Sequence, residues 1–307
     1  MMWSSIAKSG QRLGFGALLF CLAGLVALAV AQQPEDESSR RFWPPNYRPA
    51  AARPKAKPKI ARYRRTTPAL PQEASAMLGD GVLGVTIWRL RPAAKTDEAR
   101  ILITKSGKKS DWTPERVEAS TTFSEGQLVR LSIEVPRNGY LYVIDRERYA
   151  DDTLSEPYLI FPLNANRAAN KVTAGRVVEL PPQQAEQAVF ELHSFREAGK
   201  APQVAEVLTF LITPEPLTGL PHATSDDAPI KLPVALVEDW EKRWSTQVEQ
   251  LELEQGAGRA YTRAEQQAGG KAGKRLTQAD PLPQTIFRVG AKRGRPFAVK
   301  MPLKIAK

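Results

Sequence analysis

The stretch Val129-Arg130-Leu131-Ser132-Ile133-Glu134-Val135 alternates without a break: Val129, Leu131, Ile133 and Val135 share one face, and Arg130, Ser132 and Glu134 share the other. A period of two is the signature of a strand with one face on a core. Asn138-Gly139 follows, a strong short-range signal for a two-residue hairpin turn, and Tyr140-Leu141-Tyr142-Val143-Ile144-Asp145 reads as the returning strand. Working outward, strand patterns recur at residues 82–90, 99–104, 116–123, 158–162, 176–180, 188–195 and 204–213, separated by Gly, Pro and Asn. Short strands at this spacing predict an all-β dominated chain built on an antiparallel β-sandwich at residues 80–218.

The last third, residues 219–307, reads as a C-terminal extension packed on the sandwich. Val237, Trp240, Trp244, Val248 and Leu251 form one apolar stripe at helical spacing. With Pro233 before it and Gly256 after it, the stripe predicts an amphipathic helix over residues 234–255. Residues 285–289 and 297–303 read as a terminal β-hairpin around Lys292-Arg293-Gly294-Arg295.

The N-terminal region is different again. Lys8 and Arg12 precede an uncharged apolar run over residues 13–30, and Ala29-Val30-Ala31 has the small residues of a cleavage site. This is the layout of a secretory signal peptide over residues 1–31. The run is also long enough to span a bilayer uncleaved, so the expected address is the periplasm or extracellular space, with inner-membrane anchoring as the alternative. The single Cys of the chain, Cys21, lies inside the run, so a cleaved chain has no thiol chemistry. Residues 32–79 are rich in Pro and hold ten basic and four acidic residues, a net +6, whereas residues 80–218 hold 17 basic and 19 acidic, a net −2. Such a Pro-rich, self-repelling segment reads as a disordered linker. Its aromatics, Phe42, Trp43, Tyr47 and Tyr63, are interleaved with Arg, which suits an anionic polymer or a membrane surface.

Three further pieces flank the central strands: Leu159-Ile160-Phe161-Pro162, Asn170-Lys171-Val172-Thr173-Ala174-Gly175 and Val178-Glu179-Leu180-Pro181. Together with Gly139-Tyr140-Leu141-Tyr142-Val143-Ile144-Asp145 they resemble the bacterial domain-of-unknown-function family numbered 4384, over about residues 84–215. The resemblance implies an all-β, envelope-associated or extracellular domain, often appended to peptidase-like or kinase-like modules. That family has no established catalytic residues, so the resemblance implies none here.

Composition narrows the chemistry. The chain has 307 residues, 42% hydrophobic and 25% charged, enough for a core of one or two domains. Two His and one Cys exclude a Cys/His zinc site of ordinary ligand count. Gly79-Asp80-Gly81-Val82-Leu83-Gly84 has the spacing of a dinucleotide loop, but it follows a Pro-rich segment and opens a strand, the wrong context for pyrophosphate. His193 and His222 have no nucleophile and orienting acid in a recognisable pattern. Asp145, Glu147, Asp151, Asp152 and Glu156 are interspersed with Arg146 and Arg148 and lack calcium-loop spacing, so they read as solvated loop acids. The expectation is an exported, non-catalytic cell-envelope binding module with no cofactor and no metal. Its partner is a protein or an anionic surface polymer, with membrane contact through the linker or an uncleaved anchor, and no nucleic acid. A hydrolase acting on envelope glycan or peptide is the alternative. The candidate binding residues are Arg41, Trp43 and Arg64 in the linker, and Tyr140 and Tyr142 as an aromatic platform on the sandwich.

Overall fold

The computed structural model describes residues 61–70, 81–105, 108–135, 137–163, 170–181, 189–193, 201–221, 228–269, 275–277, 280–292 and 294–306. The signal-like segment and most of the linker lie outside the described residues. In chain order the strands are β1 (Tyr63–Arg65), β2 (Val82–Pro92), β3 (Ile101–Lys105), β4 (Lys108–Val117), β5 (Thr122–Phe123), β6 (Gln127–Glu134), β7 (Gly139–Tyr149) and β8 (Tyr158–Phe161). There follow β9 (Lys171–Val172), β10 (Val177–Leu180), β11 (Phe190–Leu192), β12 (Gln203–Thr213), β13 (Ile230–Lys231), helix α1 (Val234–Trp244) and β14 (Val248–Leu253). Helix α2 (Arg263–Ala268), β15 (Thr285–Val289) and β16 (Phe297–Ile305) complete the chain.

These strands make an antiparallel β-sandwich. Sheet I has nine strands among the described residues, with β2 at its centre. One edge of β2 carries β15 along Val82–Val85 and β4 along Ile87–Pro92; the opposite edge carries β6, which in turn pairs with β10 and β11. Sheet II has seven strands in the order β13-β8-β7-β12-β16-β5, with β9 beside β7. Alternation sorts the side chains. Leu83, Val85, Ile87, Val129, Leu131 and Ile133 from sheet I meet Leu141, Val143, Leu208, Phe210, Val299 and Met301 from sheet II in one core. The strict alternation of residues 129–135 is the sheet I half of that core.

Both outer faces are also covered. Tyr142, Ile144 and Leu211 on the outer face of sheet II pack with Val237 and Trp240 of α1. On the outer face of sheet I, Trp88 and Ala99 pack with Tyr261 from the segment leading into α2.

Several sequence expectations change here. The Asn138-Gly139 turn joins β6 in sheet I to β7 in sheet II, so it is a crossing between layers, not a hairpin. Its glycine serves close approach: a Cβ on Gly139 would sit 2.6 Å from the Thr213 carbonyl oxygen. Asn138 Oδ1 accepts from the Ala174 amide at 2.9 Å, fastening the crossing to the segment after β9. The helix expected over residues 234–255 ends at Trp244, and Val248–Leu253 is a strand between β1 and β15. Val248 and Leu251 therefore leave the Trp240 stripe and join other clusters. The expected terminal hairpin is likewise divided, because β15 lies in sheet I and β16 in sheet II. The C-terminal segment is thus woven through both sheets, with β16 paired to β12 from Lys304 to Phe297. The strand expected over residues 116–123 is the end of β4 followed by β5, in different sheets. Finally, part of the linker is structured: β1 pairs with β14.

Candidate functional site

Of the candidate binding residues, Arg41 and Trp43 lie outside the described residues. Tyr142 is 2% exposed and its hydroxyl accepts from the Leu217 amide at 2.7 Å. Helix α1 covers the face it shares with half-buried Tyr140, so this pair is core and not an open aromatic platform. Arg64 does reach solvent. Its guanidinium donates to both oxygens of Glu118, at 3.0 and 3.2 Å, with its own side chain 55% exposed. A pair this exposed contributes about 0–1 kcal/mol and leaves the cation available to compete for another anion.

Strand β1 is the place where the basic linker meets the sandwich. Tyr63 donates its hydroxyl to the Pro283 carbonyl at 2.7 Å and packs on the Val82–Ile286 cluster. Arg65 pairs with the buried Glu249 at 2.5 Å, and Glu249 also accepts from Arg288 at 2.9 Å. Tyr63 thus points into the fold while Arg64 and Arg65 keep their side chains more than half exposed.

The outer face of sheet I holds a buried charge network. Arg130 donates to Glu179 at 2.6 Å, and Tyr261 donates its hydroxyl to the other oxygen of Glu179 at 3.1 Å. Burial, with the Glu179 charge beside it, pushes the Tyr261 phenol well above its ordinary value. Arg116 lies over the Trp88 ring at 5.1 Å and donates to Glu265 at 2.5 Å and to the Leu282 carbonyl at 2.7 Å. Glu265 is also the third residue of a capping box with Thr262, so one carboxylate both starts α2 and clamps it to β4. The space left among Trp88, Arg116, Glu134 and Glu265 is about 20 Å³, room for one water. Matched charges around so small a space make a clamp for the C-terminal segment.

A second cluster lies at one end of sheet II. Asp145 and Glu206 extend the inward-facing positions of β7 and β12, and their carboxyls are in hydrogen-bonding contact. Desolvation is the main cause that raises both above the ordinary carboxylate range. Gln203 donates to Glu206 at 2.7 Å, and Tyr149 donates to Glu147 at 2.5 Å. The loop reading of Asp145 and Glu147 is therefore corrected: they are strand residues. The alternation Asp145-Arg146-Glu147-Arg148 was the available signal, since on a strand it sends acids to one face and bases to the other. Glu206 could be brought to them only by the pairing of β7 with β12.

His193 is 43% exposed and 3.9 Å from Glu191. Among the described residues no group of three or more His, Cys, Asp or Glu could hold a metal ion, and no helix is long and apolar enough to cross a membrane. No family model, curated protein or solved structure matches the chain.

Proposed function

We propose that the protein is an exported, non-catalytic module of the cell envelope, binding a protein partner or an anionic surface polymer with its basic linker and its sandwich. The observation that carries this reading is β1. The linker does not merely hang from the sandwich: it enters sheet I as an edge strand that packs a partly buried Tyr63 on the fold and presents Arg64 and Arg65 outward. Residues 40–65 carry ten basic residues and no acid, so the cationic run continues on to the surface of the folded body. The signal-like N-terminus supports the address. The alternative, a hydrolase, would draw on the Asp145–Glu206 pair. That pair is in direct contact, whereas glycosidase carboxyls stand about 5–9.5 Å apart, which favours the binding reading for a glycan.

The test is sedimentation with purified envelopes across a salt series. Exposed cation contacts are screened within about 8 Å at physiological salt, so binding by the full chain should weaken steeply as salt rises. Deletion of residues 40–60, which spares β1, should remove most of that salt-sensitive part. Equal binding by both chains at low salt would reduce the linker to a spacer. Protease treatment of the envelopes separates the two partners: binding that survives it is to polymer.

A further inference from the structure

Every arginine on a strand of sheet I is held by a carboxylate: Arg64, Arg65, Arg89, Arg91, Arg116, Arg130 and Arg288. Sheet II is built differently. Among the described residues, its strand arginines, Arg146 and Arg148, have no carboxylate partner, and neither has Lys304 on β16. Alternation explains why. The acids on β7 and β12, Asp145, Glu147 and Glu206, turn to the inner face, while Arg146, Arg148, Lys300 and Lys304 turn to the outer face. Arg148, Ala205 and Lys304 are mutually registered across β7, β12 and β16, and so are Arg146, Val207 and Pro302. The backbones of β7 and β16 are two strand spacings apart, roughly 9.5 Å, a gap that two long side chains can close on one bound anion.

Arg148 is the telling residue. Its Nε is buried and has no hydrogen-bond partner. A buried donor on a charged group wants an acceptor, because its desolvation is otherwise uncompensated. Beside it, Arg146 is 6% exposed and donates from Nε to the Ser155 carbonyl at 2.7 Å. Lys304 is exposed. Lys300, two rows further along β16, is tied to Glu241 of α1 at 2.6 Å and marks the border with the covered part of the sheet.

We infer that this end of the outer face of sheet II is an anion-binding surface, and that its occupant is a phosphate-bearing polymer chain. The inference rests on the proposed envelope-binding function and names the chemistry and the place. An arginine fork accepts phosphate in a bidentate manner and a lysine adds a mobile point charge. Exposed Lys304 and half-buried Arg148, in one row across β16 and β7, supply the charge a polyanion can reach, and the buried Arg146, two residues from Arg148, adds its field from below.

The probe is inorganic polyphosphate, titrated into the full chain by calorimetry at low and at about physiological salt. Arg148→Gln combined with Lys304→Gln should weaken binding about tenfold and flatten the logarithmic salt dependence by about one per lost contact. Lys304→Gln alone, at an exposed position that needs no repacking, should give part of both effects, and thermal melting checks that each variant is folded. Unchanged affinity and slope in the folded variants would overturn the inference. The chain lacking residues 40–60 separates it from the linker reading. If that deletion abolishes binding while the double variant binds normally, the surface falls and the linker stands. If the double variant alone is impaired, the linker reading falls and the surface stands.

Discussion

Arg130 on β6 and Glu179 on β10 meet at 2.6 Å with side chains only 6% and 5% exposed, and Tyr261 closes the pair from the C-terminal segment. Their positions follow from strand pairing: Ser132 faces Glu179 across the β6–β10 ladder, which places Arg130 on the diagonal of the same outer face. Removing one charge leaves the other buried without its partner. Glu179→Ala should therefore destabilise the fold by roughly 3–5 kcal/mol. The double change Arg130→Met with Glu179→Leu, which removes both charges, should recover much of that loss. Urea denaturation of the two variants checks it; an equal loss in both would mean that packing and not the charge pair holds this face.

Trp240 and Trp244 stack at 5.9 Å between centroids, yet they are not equivalent. Trp240 is 5% exposed among Val237, Leu211 and Ile144, while Trp244 is half-buried at the helix end, where Arg243 lies over its ring. Trp240→Ala should cost roughly 3–5 kcal/mol, and Trp244→Ala clearly less. Thermal melts of the two single variants read the difference. Equal losses would place Trp244 as deep in the interface as Trp240.

The Asp145–Glu206 pair makes stability depend on pH. Burial pushes Glu206 up to about 9 in the fold, against an ordinary value near 4.5. Between those values the folded state binds a proton that the unfolded chain has released, so unfolding free energy falls as pH rises. The stabilisation is whole below pH 4.5 and is lost progressively by about pH 9. Glu252, raised by burial beside Gln284 and Thr285, adds to the same trend. Glu206→Gln keeps the shape, keeps a hydrogen to share with Asp145 and cannot lose it. Its melting temperature should fall less than that of the unaltered chain between pH 6 and pH 9. Identical slopes would assign the dependence to other groups.

The sandwich was legible because core burial imposes period two, and the alternation at residues 129–135 and 204–213 survives in β6 and β12. Sheet membership was not legible. Asn138-Gly139 carries the chemistry of a tight turn, but whether such a turn pairs its flanking strands or passes between layers is decided by distant partners, here β12 beside β7 and β2 beside β6. Lys108–Val117 shows little alternation, with Pro114 and five charged side chains, because its first half is exposed on both faces. The stripe from Val237 to Leu251 misled for a similar reason: Val248 packs on the main core and Leu251 on the Val82–Ile286 cluster, not on the helix that their spacing continues. Of the candidate site, the strand cations of β7 were visible as residues, but their separation from the acids needed the strand to extend to Tyr149.

Strand β1 draws a boundary within the linker that can be tested. Backbone bonds run from Thr66 to Gln250 and from Glu254 to Arg62, at 2.9 and 2.8 Å, so residues 62–66 are the outer strand that shields β14. Deleting residues 40–60 should leave the melting temperature unchanged, since that segment supplies none of these bonds. Deleting residues 40–67 should lower it, by the loss of Tyr63 from the Val82–Ile286 cluster and of the pairing along Leu251–Leu253. The exposed edge of β14 would then offer unpaired amides to a second chain, so the longer deletion should also shift the protein toward larger species in size-exclusion chromatography. Both effects should appear at high salt as well as low, which distinguishes them from the screened contacts of the linker. Equal melting temperatures for the two deletions would mean that β1 is only laid against the sheet, and the folded body would then begin at β2.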